Sequence, residues 1–179
     1  MKIIATTAFE AGATAVGYAK VADMKFDPAF RAACEQNVCG KFGKCWMCPP
    51  DAGDINEMIA TAKKFENIMV LQTIGQLEDS YDFEGMQEAA VLHNKMTFVA
   101  AEKVRELYGD RALVMGAGAC HVCARCTRLD EQPCRNPDTA IPSLEVYGVA
   151  VSELAAVSGL KYINGENTVT YFSGVLYNG

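Results

Sequence analysis

No stretch of this chain approaches the ~18 uninterrupted apolar residues of a membrane-crossing helix, so a span is not expected. The opening MKIIATTAFE holds one lysine and a short apolar run before Glu10, too little for a secretory leader. Basic charge is scarce: Lys and Arg total 16 against 22 Asp and Glu, for a formal net charge of −6. Nucleic-acid binding rests on clustered cations that neutralise phosphates, so this balance argues against nucleic acid as a partner. There are only two histidines, His93 and His121, and neither falls into a Ser/His/Asp order; no carboxylate pair stands out. GAGAC, Gly116 to Cys120, lacks the further glycine of a dinucleotide-binding turn, and there is no phosphate loop of the lysine type. No Pro-, Gly- or Ser-rich linker, low-complexity run or repeat divides the sequence. The reading is one soluble, cytoplasmic domain over residues 1–179, long enough to bury a core without covalent staples.

Cysteine, by contrast, is abundant. Eight are present, and a reducing compartment disfavours four disulfides, so metal ligation becomes the leading explanation. They fall in two groups of four: Cys34, Cys39, Cys45 and Cys48, then Cys120, Cys123, Cys126 and Cys134. Four is the number that tetrahedral sulfur sites take.

CHVCARCTRLDEQPC is the strongest signal. Two successive two-residue gaps set Cys120, Cys123 and Cys126 on a tight loop able to wrap three corners of an iron-sulfur cubane, with Cys134 returning after seven residues as a fourth thiolate. Bacterial ferredoxin loops begin the same way but place the fourth cysteine after three residues. Zinc also takes four thiolates, yet usually from separated pairs, so iron-sulfur is favoured and zinc stays as the alternative.

In the first segment, CEQNVCGKFGKCWMCPP, Gly40 and Gly43 let the backbone bend Cys39 and Cys45 towards one centre. A thioredoxin-like redox pair at Cys45 and Cys48 is the weaker reading, because Pro49 and Pro50 favour extended backbone where that motif needs a helix. Arg31, Lys41 and Lys44 flank this segment and Arg125, Arg128 and Arg135 the other. They suit an anionic cluster, simple solvation, or docking of an acidic electron carrier. Trp46, Phe42 and Tyr147 are either shields against water or plain core. His121, next to Cys120, is expected to point away from the metal, and His93 to be a satisfied core histidine.

Around these segments the pattern gives a helix within Phe9 to Val16, a strand at Ala15 to Lys20, and a helix from Asp54, with Glu57 completing a capping-box-like start. IMVL within Asn67 to Thr73 reads as an interior strand covered on both faces. A long helix follows over Glu84 to Tyr108, closed by Gly109. A strand from Ala112 is expected to run on to Cys120; short helices follow near Ser143 and over Val151 to Val157, and a last strand over Thr168 to Tyr177. Strands alternating with helices imply a single layered α/β or α+β domain with a mixed sheet and two cysteine-rich metal-binding loops.

The two segments together carry a resemblance. Cys48-Pro49-Pro50, the trio Cys120, Cys123 and Cys126, the PCR-x-P element Pro133-Cys134-Arg135 with Pro137, and Pro142-Ser143 with Glu145 and Gly148 resemble the prokaryotic family of predicted metal-binding proteins, domain of unknown function 2284. The resemblance spans most of the chain and implies metal binding by all eight cysteines while leaving the reaction open. Ser143 reads as a helix cap. The expectation is an iron-sulfur protein with two 4Fe-4S clusters, one per segment, passing electrons to and from a redox partner protein. An iron-sulfur or flavin-dependent oxidoreductase acting on a small molecule is the first alternative, and a zinc-stabilised interaction module the second.

Overall fold

The computed structural model describes all 179 residues. The elements in chain order are α1 (Lys2–Glu10), β1 (Ala15–Lys20), α2 (Phe30–Glu35), α3 (Ile55–Ala62), β2 (Asn67–Gln76), α4 (Phe83–Tyr108), β3 (Ala112–Met115), α5 (Val151–Val157) and β4 (Thr168–Tyr177). The four strands form one sheet in the order β1-β2-β4-β3, and the fold is α+β. No helix is long and apolar enough to cross a membrane.

Every neighbouring pair in the sheet is antiparallel, which corrects the mixed sheet expected from the alternation of elements. The reason is topological. β2 and β3, joined through α4, do run in the same direction, but β4 inserts between them and pairs antiparallel with both, as in a split βαβ unit.

The alternation of β2 is what makes the sheet two-faced. Ile68 and Val70 belong to a core with Met58, Leu144, Tyr147, Leu154, Phe172 and Leu176, on the side of α3 and α5. Met69 and Leu71 belong to a second core with Ile4, Ala8, Met96, Ala100, Val104 and Val175, on the side of α1 and α4. Each side hides apolar area at roughly 25 cal/mol per Å². The strand is thus covered on both faces, as its unbroken apolar run implies.

Two boundaries differ from expectation. The first helix lies earlier, because Ile4 and Ala8, four apart, bury one stripe against α4, and Gly12 at φ 112 ends it where a side chain would be strained. β3 stops at Met115 rather than Cys120, because Gly116 donates to the Pro142 carbonyl (2.8 Å) and accepts from the Leu144 amide (3.0 Å). Elsewhere Asp54 caps α3, accepting from the Asn56 and Glu57 amides, and Gly109 closes α4 at φ 53.

Where α4 crosses the polar half of the sheet the contact is hydrogen-bonded. Thr97 donates to Ser173 (2.9 Å), the Tyr171 hydroxyl donates to the Met86 carbonyl (2.9 Å), and Thr73 Oγ1 pairs with His93 Nδ1 (2.8 Å). His93 is fully buried but only half satisfied: its Nε2 lies near the Phe172 carbonyl without hydrogen-bond geometry. Burial brings its proton affinity down to about 4 from 6.5. A folded-state value below the unfolded one means full stability above pH 6.5 and loss as pH falls towards 4, roughly 3 kcal/mol in all. Denaturant midpoints measured at pH 7 and pH 4.5 are therefore expected to converge in His93→Gln relative to the parent. An unchanged acid slope in the variant would remove His93 as the cause.

Candidate metal centre

Both cysteine segments are insertions, and the backbone ties them together at their roots. Asp27 N donates to the Gly148 carbonyl (2.7 Å), Ala150 N to the Lys25 carbonyl (3.0 Å), and Phe26 forms a bridge with Val149. The chain leaving β1 thereby pairs with the chain returning from the second segment. Gly148 is at φ 72, and a Cβ there would lie 3.0 Å from Ile59 Cδ1 and 3.2 Å from the Asp27 carbonyl oxygen. Ser143 Oγ accepts from Val146 N at 3.4 Å, as its reading as a cap requires, although the helix it opens is a single 3-10 turn.

The first segment starts from the last turn of α2, which carries Cys34. Asn37, Gly40 and Gly43 all have positive φ, and the loop closes on itself through Phe42 N to Asn37 Oδ1 (3.0 Å) and Gly43 N to the Pro49 carbonyl (2.8 Å). Cys48 N reaches back to the Cys45 carbonyl (2.9 Å), and turns rather than a helix follow it. This is not the thioredoxin arrangement. The Pro49–Pro50 peptide is cis. Cys45 and Cys48 are buried, Cys34 is half-buried and Cys39 is exposed.

The second segment solves its seven-residue gap with a turn. Thr127–Asp130 is a 3-10 helix ended by Glu131 in the left-handed region, Gln132 N donates to the Thr127 carbonyl (3.1 Å), and Thr127 Oγ1 donates to the Pro133 carbonyl (2.9 Å). The chain doubles back, and Cys134 returns beside Cys123 and Cys126. All four cysteines here are half-buried.

The two loops abut. A small cavity of about 20 Å³ is lined by Cys120, Cys123, Cys126 and Cys134, and also by Cys45, Trp46 and Met47 of the first segment. The larger surface hollow of about 480 Å³ beside Glu84, Glu88 and Val91 holds no cysteine. Trp46 Nε1 donates to the Gln132 carbonyl (3.0 Å), the Arg128 guanidinium lies 5.3 Å from the Trp46 ring centre, and Arg128 Nε donates to Asp51 (2.7 Å). With the two side chains only 26 % and 16 % exposed, that ion pair is screened less than a surface one.

Charge is handled differently in the two loops. Arg125 pairs with Asp130 (2.6 Å), Arg128 with Asp51, and Arg135 donates to the Arg125 carbonyl (2.7 Å), so the basic residues of the second segment hold its own fold. Arg31 is different. It donates to the Gly53 carbonyl (2.8 Å) and to Met58 Sδ (3.7 Å), has no carboxylate partner, and its Nε is buried without an acceptor. Burial pushes the Cys34 thiol up, and the Arg31 charge pulls it down. Cys45 and Cys48 share one negative charge. The Cys48 thiol donates to Cys45, which with the Met47 and Cys120 amides and the Cys126 thiol brings Cys45 down to about 5, while Cys48 is pushed far up. Burial raises Cys120.

No three His, Cys, Asp or Glu side chains converge as the ligands of a single ion would. A tetrahedral zinc with sulfurs at ~2.3 Å needs its four thiolates roughly 3.8 Å apart. His121 is exposed and does not line the cavity; Tyr147 is core, whereas Trp46 is at the cavity. Three participants escaped the sequence reading: the placement of Cys45 in the second loop's cavity, Asp51 as the partner of Arg128, and Asn136, whose Nδ2 donates to Cys123 Sγ at 3.1 Å. The only signal for Asn136 was its position between Arg135 and Pro137.

Residues 18–177 match the family described as Predicted metal-binding protein (DUF2284), and the chain belongs to it. No curated protein and no solved structure matches. Metal binding is the property that membership brings. Because Gly148 is where the two loop roots meet, Gly148→Ala is expected to cost roughly 2 kcal/mol, half from the left-handed backbone and half from crowding against Ile59. Its urea midpoint should fall and proteolysis within residues 31–50 should quicken. Parent-like stability would mean that this pairing does not govern the loops.

Proposed function

We propose that this member of the family is an iron-sulfur protein that carries two 4Fe-4S clusters and passes single electrons to a partner protein. Cys34, Cys39, Cys45 and Cys48 would hold one, and Cys120, Cys123, Cys126 and Cys134 the other. The observation that carries the reading is the gathering of all eight cysteines into two abutting loops, with Cys45 of one loop in the cavity of the other. Such contact gives two centres the proximity that relay requires.

The donor set fits the group. A cubane held by four thiolates is anionic, and Arg31, a buried cation without a carboxylate partner and with one N–H unspent, lies where the first centre needs a counter-charge. The thiols surround about 20 Å³ as they stand, so loading requires the loops to part around the metal. When bound, the clusters supply one-electron redox chemistry. The chain's own residues do the rest: Trp46 and Met47 exclude water, Arg128 with Asp51 fixes one loop against the other, and amides donate to Cys45 and Cys120. Eight unpaired thiols suit a reducing cytoplasm.

Cys39 and Val38, the latter 90 % exposed, present the first centre to solvent, and Lys41 and Lys44 beside them make no ion pair, which suits an acidic redox partner. The same exposure favours a second reading, reduction of a small molecule at that centre.

Anaerobically purified protein is expected to contain about eight iron and eight acid-labile sulfide per chain. Stoichiometric zinc without sulfide would defeat the proposal in favour of a zinc-stabilised module. Cys126→Ser should lose about half of the iron; loss of all or none would defeat the division by segment. A spin-resonance signal altered by small substrates, but not by a protein partner, would favour the reductase.

A further inference from the structure

We propose that Asn136 is a positioning residue that sets the reduction potential of the centre held by the second segment, by donating its side-chain N–H to the Cys123 sulfur. The inference rests on the iron-sulfur reading above.

The geometry is specific. Asn136 Nδ2 lies 3.1 Å from Cys123 Sγ, and apart from the cysteines themselves it is the one side chain in the protein hydrogen-bonded to a cysteine sulfur. The bond runs across the cavity wall, which both residues line. Asn136 is half-buried, so water competes only partly for the donor. Its backbone is held independently: the Asn136 carbonyl accepts from the Thr139 amide (3.2 Å) and the Ala140 amide (2.9 Å), and Arg135 anchors the preceding residue to the Arg125 carbonyl (2.7 Å). The turn is therefore formed by main chain, and the side chain's hydrogen bond is to the sulfur. A neutral thiol accepts weakly, whereas a thiolate on iron accepts strongly, so a donor aimed at Cys123 gains most in the metal-bound state.

The direction of the effect follows from charge. Reduction adds an electron to an already anionic centre and concentrates negative charge on the sulfurs. An N–H donor strengthens as that charge grows, so it stabilises the reduced form more than the oxidised one and raises the potential. The other donors around this cavity are backbone amides, those of Met47 and Cys120 at Cys45 and of Val122 and Ile141 at Cys120. Asn136 is thus the donor that a substitution can remove without altering the main chain. No comparable side-chain donor serves the sulfurs of Cys34, Cys39 or Cys48. Removing it should act on one centre and leave the other in place.

The test is an anaerobic redox titration of N136L and N136D beside the parent, monitored by the spin-resonance signal of each reduced centre, with iron and sulfide assayed in parallel. N136L keeps the side-chain shape and loses the donor. It is expected to shift the one-electron equilibrium of the second-segment centre about tenfold towards the oxidised form, equivalent to ~59 mV, with the first-segment centre unmoved. N136D, which places an acceptor there, should shift it at least as far. Full iron content with unmoved potentials would overturn the inference while leaving the iron-sulfur reading intact; absence of acid-labile sulfide in the parent would overturn both. Equal shifts at both centres would also overturn it, since a general loosening of the loops acts on both. Should N136L fail to hold iron, pulsed spin resonance on the parent labelled with ¹⁵N-asparagine decides. A resolved coupling to the side-chain nitrogen supports the bond, and its absence overturns it.

Discussion

The short backbone pairing of Lys25–Asp27 with Gly148–Ala150 is the constraint on which the site depends. Neither cysteine segment contains a helix or strand long enough to stand alone, and each is far from the other in sequence. What brings them together is that the exit from β1 and the return from the second segment share hydrogen bonds, on the side of the sheet covered by α3 and α5. The second loop is also closed at its base by Gly116 against Pro142 and Leu144. Ile59 of α3 packs against Gly148 at the crossing, so the apolar core and the loop roots are continuous. A left-handed glycine suits that crossing because a Cβ would meet Ile59 and the Asp27 carbonyl.

The sheet beneath serves as a rigid base rather than as a source of ligands. Its two central strands, β2 and β4, pair over ten residues, Asn67 with Tyr177 through Gln76 with Thr168. β3 pairs over only four, Ala112 with Tyr177 through Met115 with Gly174, and the chain then leaves the sheet for the second loop. The truncation is what sends the cysteines outwards to meet the first loop. On the opposite face, α4 meets the sheet through both an apolar patch and a buried polar set, and the helix register is fixed by Thr97 to Ser173 and His93 to Thr73 as much as by packing.

The elements with a strong local signal were legible in the sequence. Asp54 and Glu57 marked the start of α3, the unbroken IMVL run marked β2 as interior, and the period of Ala89, His93, Thr97, Ala100 and Val104 marked α4. What depended on contacts between distant residues was not. Nothing local distinguishes a β4 that inserts between β2 and β3 from one that lies at an edge, so alternation suggested a mixed sheet. His93 read as a satisfied core residue because its apolar face is a local property, whereas the missing partner of Nε2 is a tertiary one. The cysteines themselves were evident from spacing, but spacing divides them by segment, and the position of Cys45 against Cys120 and Cys126 is a property of two loops 75 residues apart in Cys45 to Cys120 numbering.

The disposition of cations carries the argument one step further. In the second loop Arg125, Arg128 and Arg135 are consumed by Asp130, Asp51 and a carbonyl, so they hold shape and contribute little free positive field. In the first loop Arg31 is buried without a carboxylate, and Lys41 and Lys44 stand free at the surface beside the exposed Cys39. A basic surface on a chain of net charge −6 does not arise from composition; it arises because the acidic residues that neutralise cations elsewhere are missing here. Such a local field attracts anions from within about a Debye length and weakens with salt. The outward-facing loop is therefore the one suited to exchange with a partner, and the inward-facing loop, with its cavity walled by Trp46 and Met47, is the one suited to hold charge.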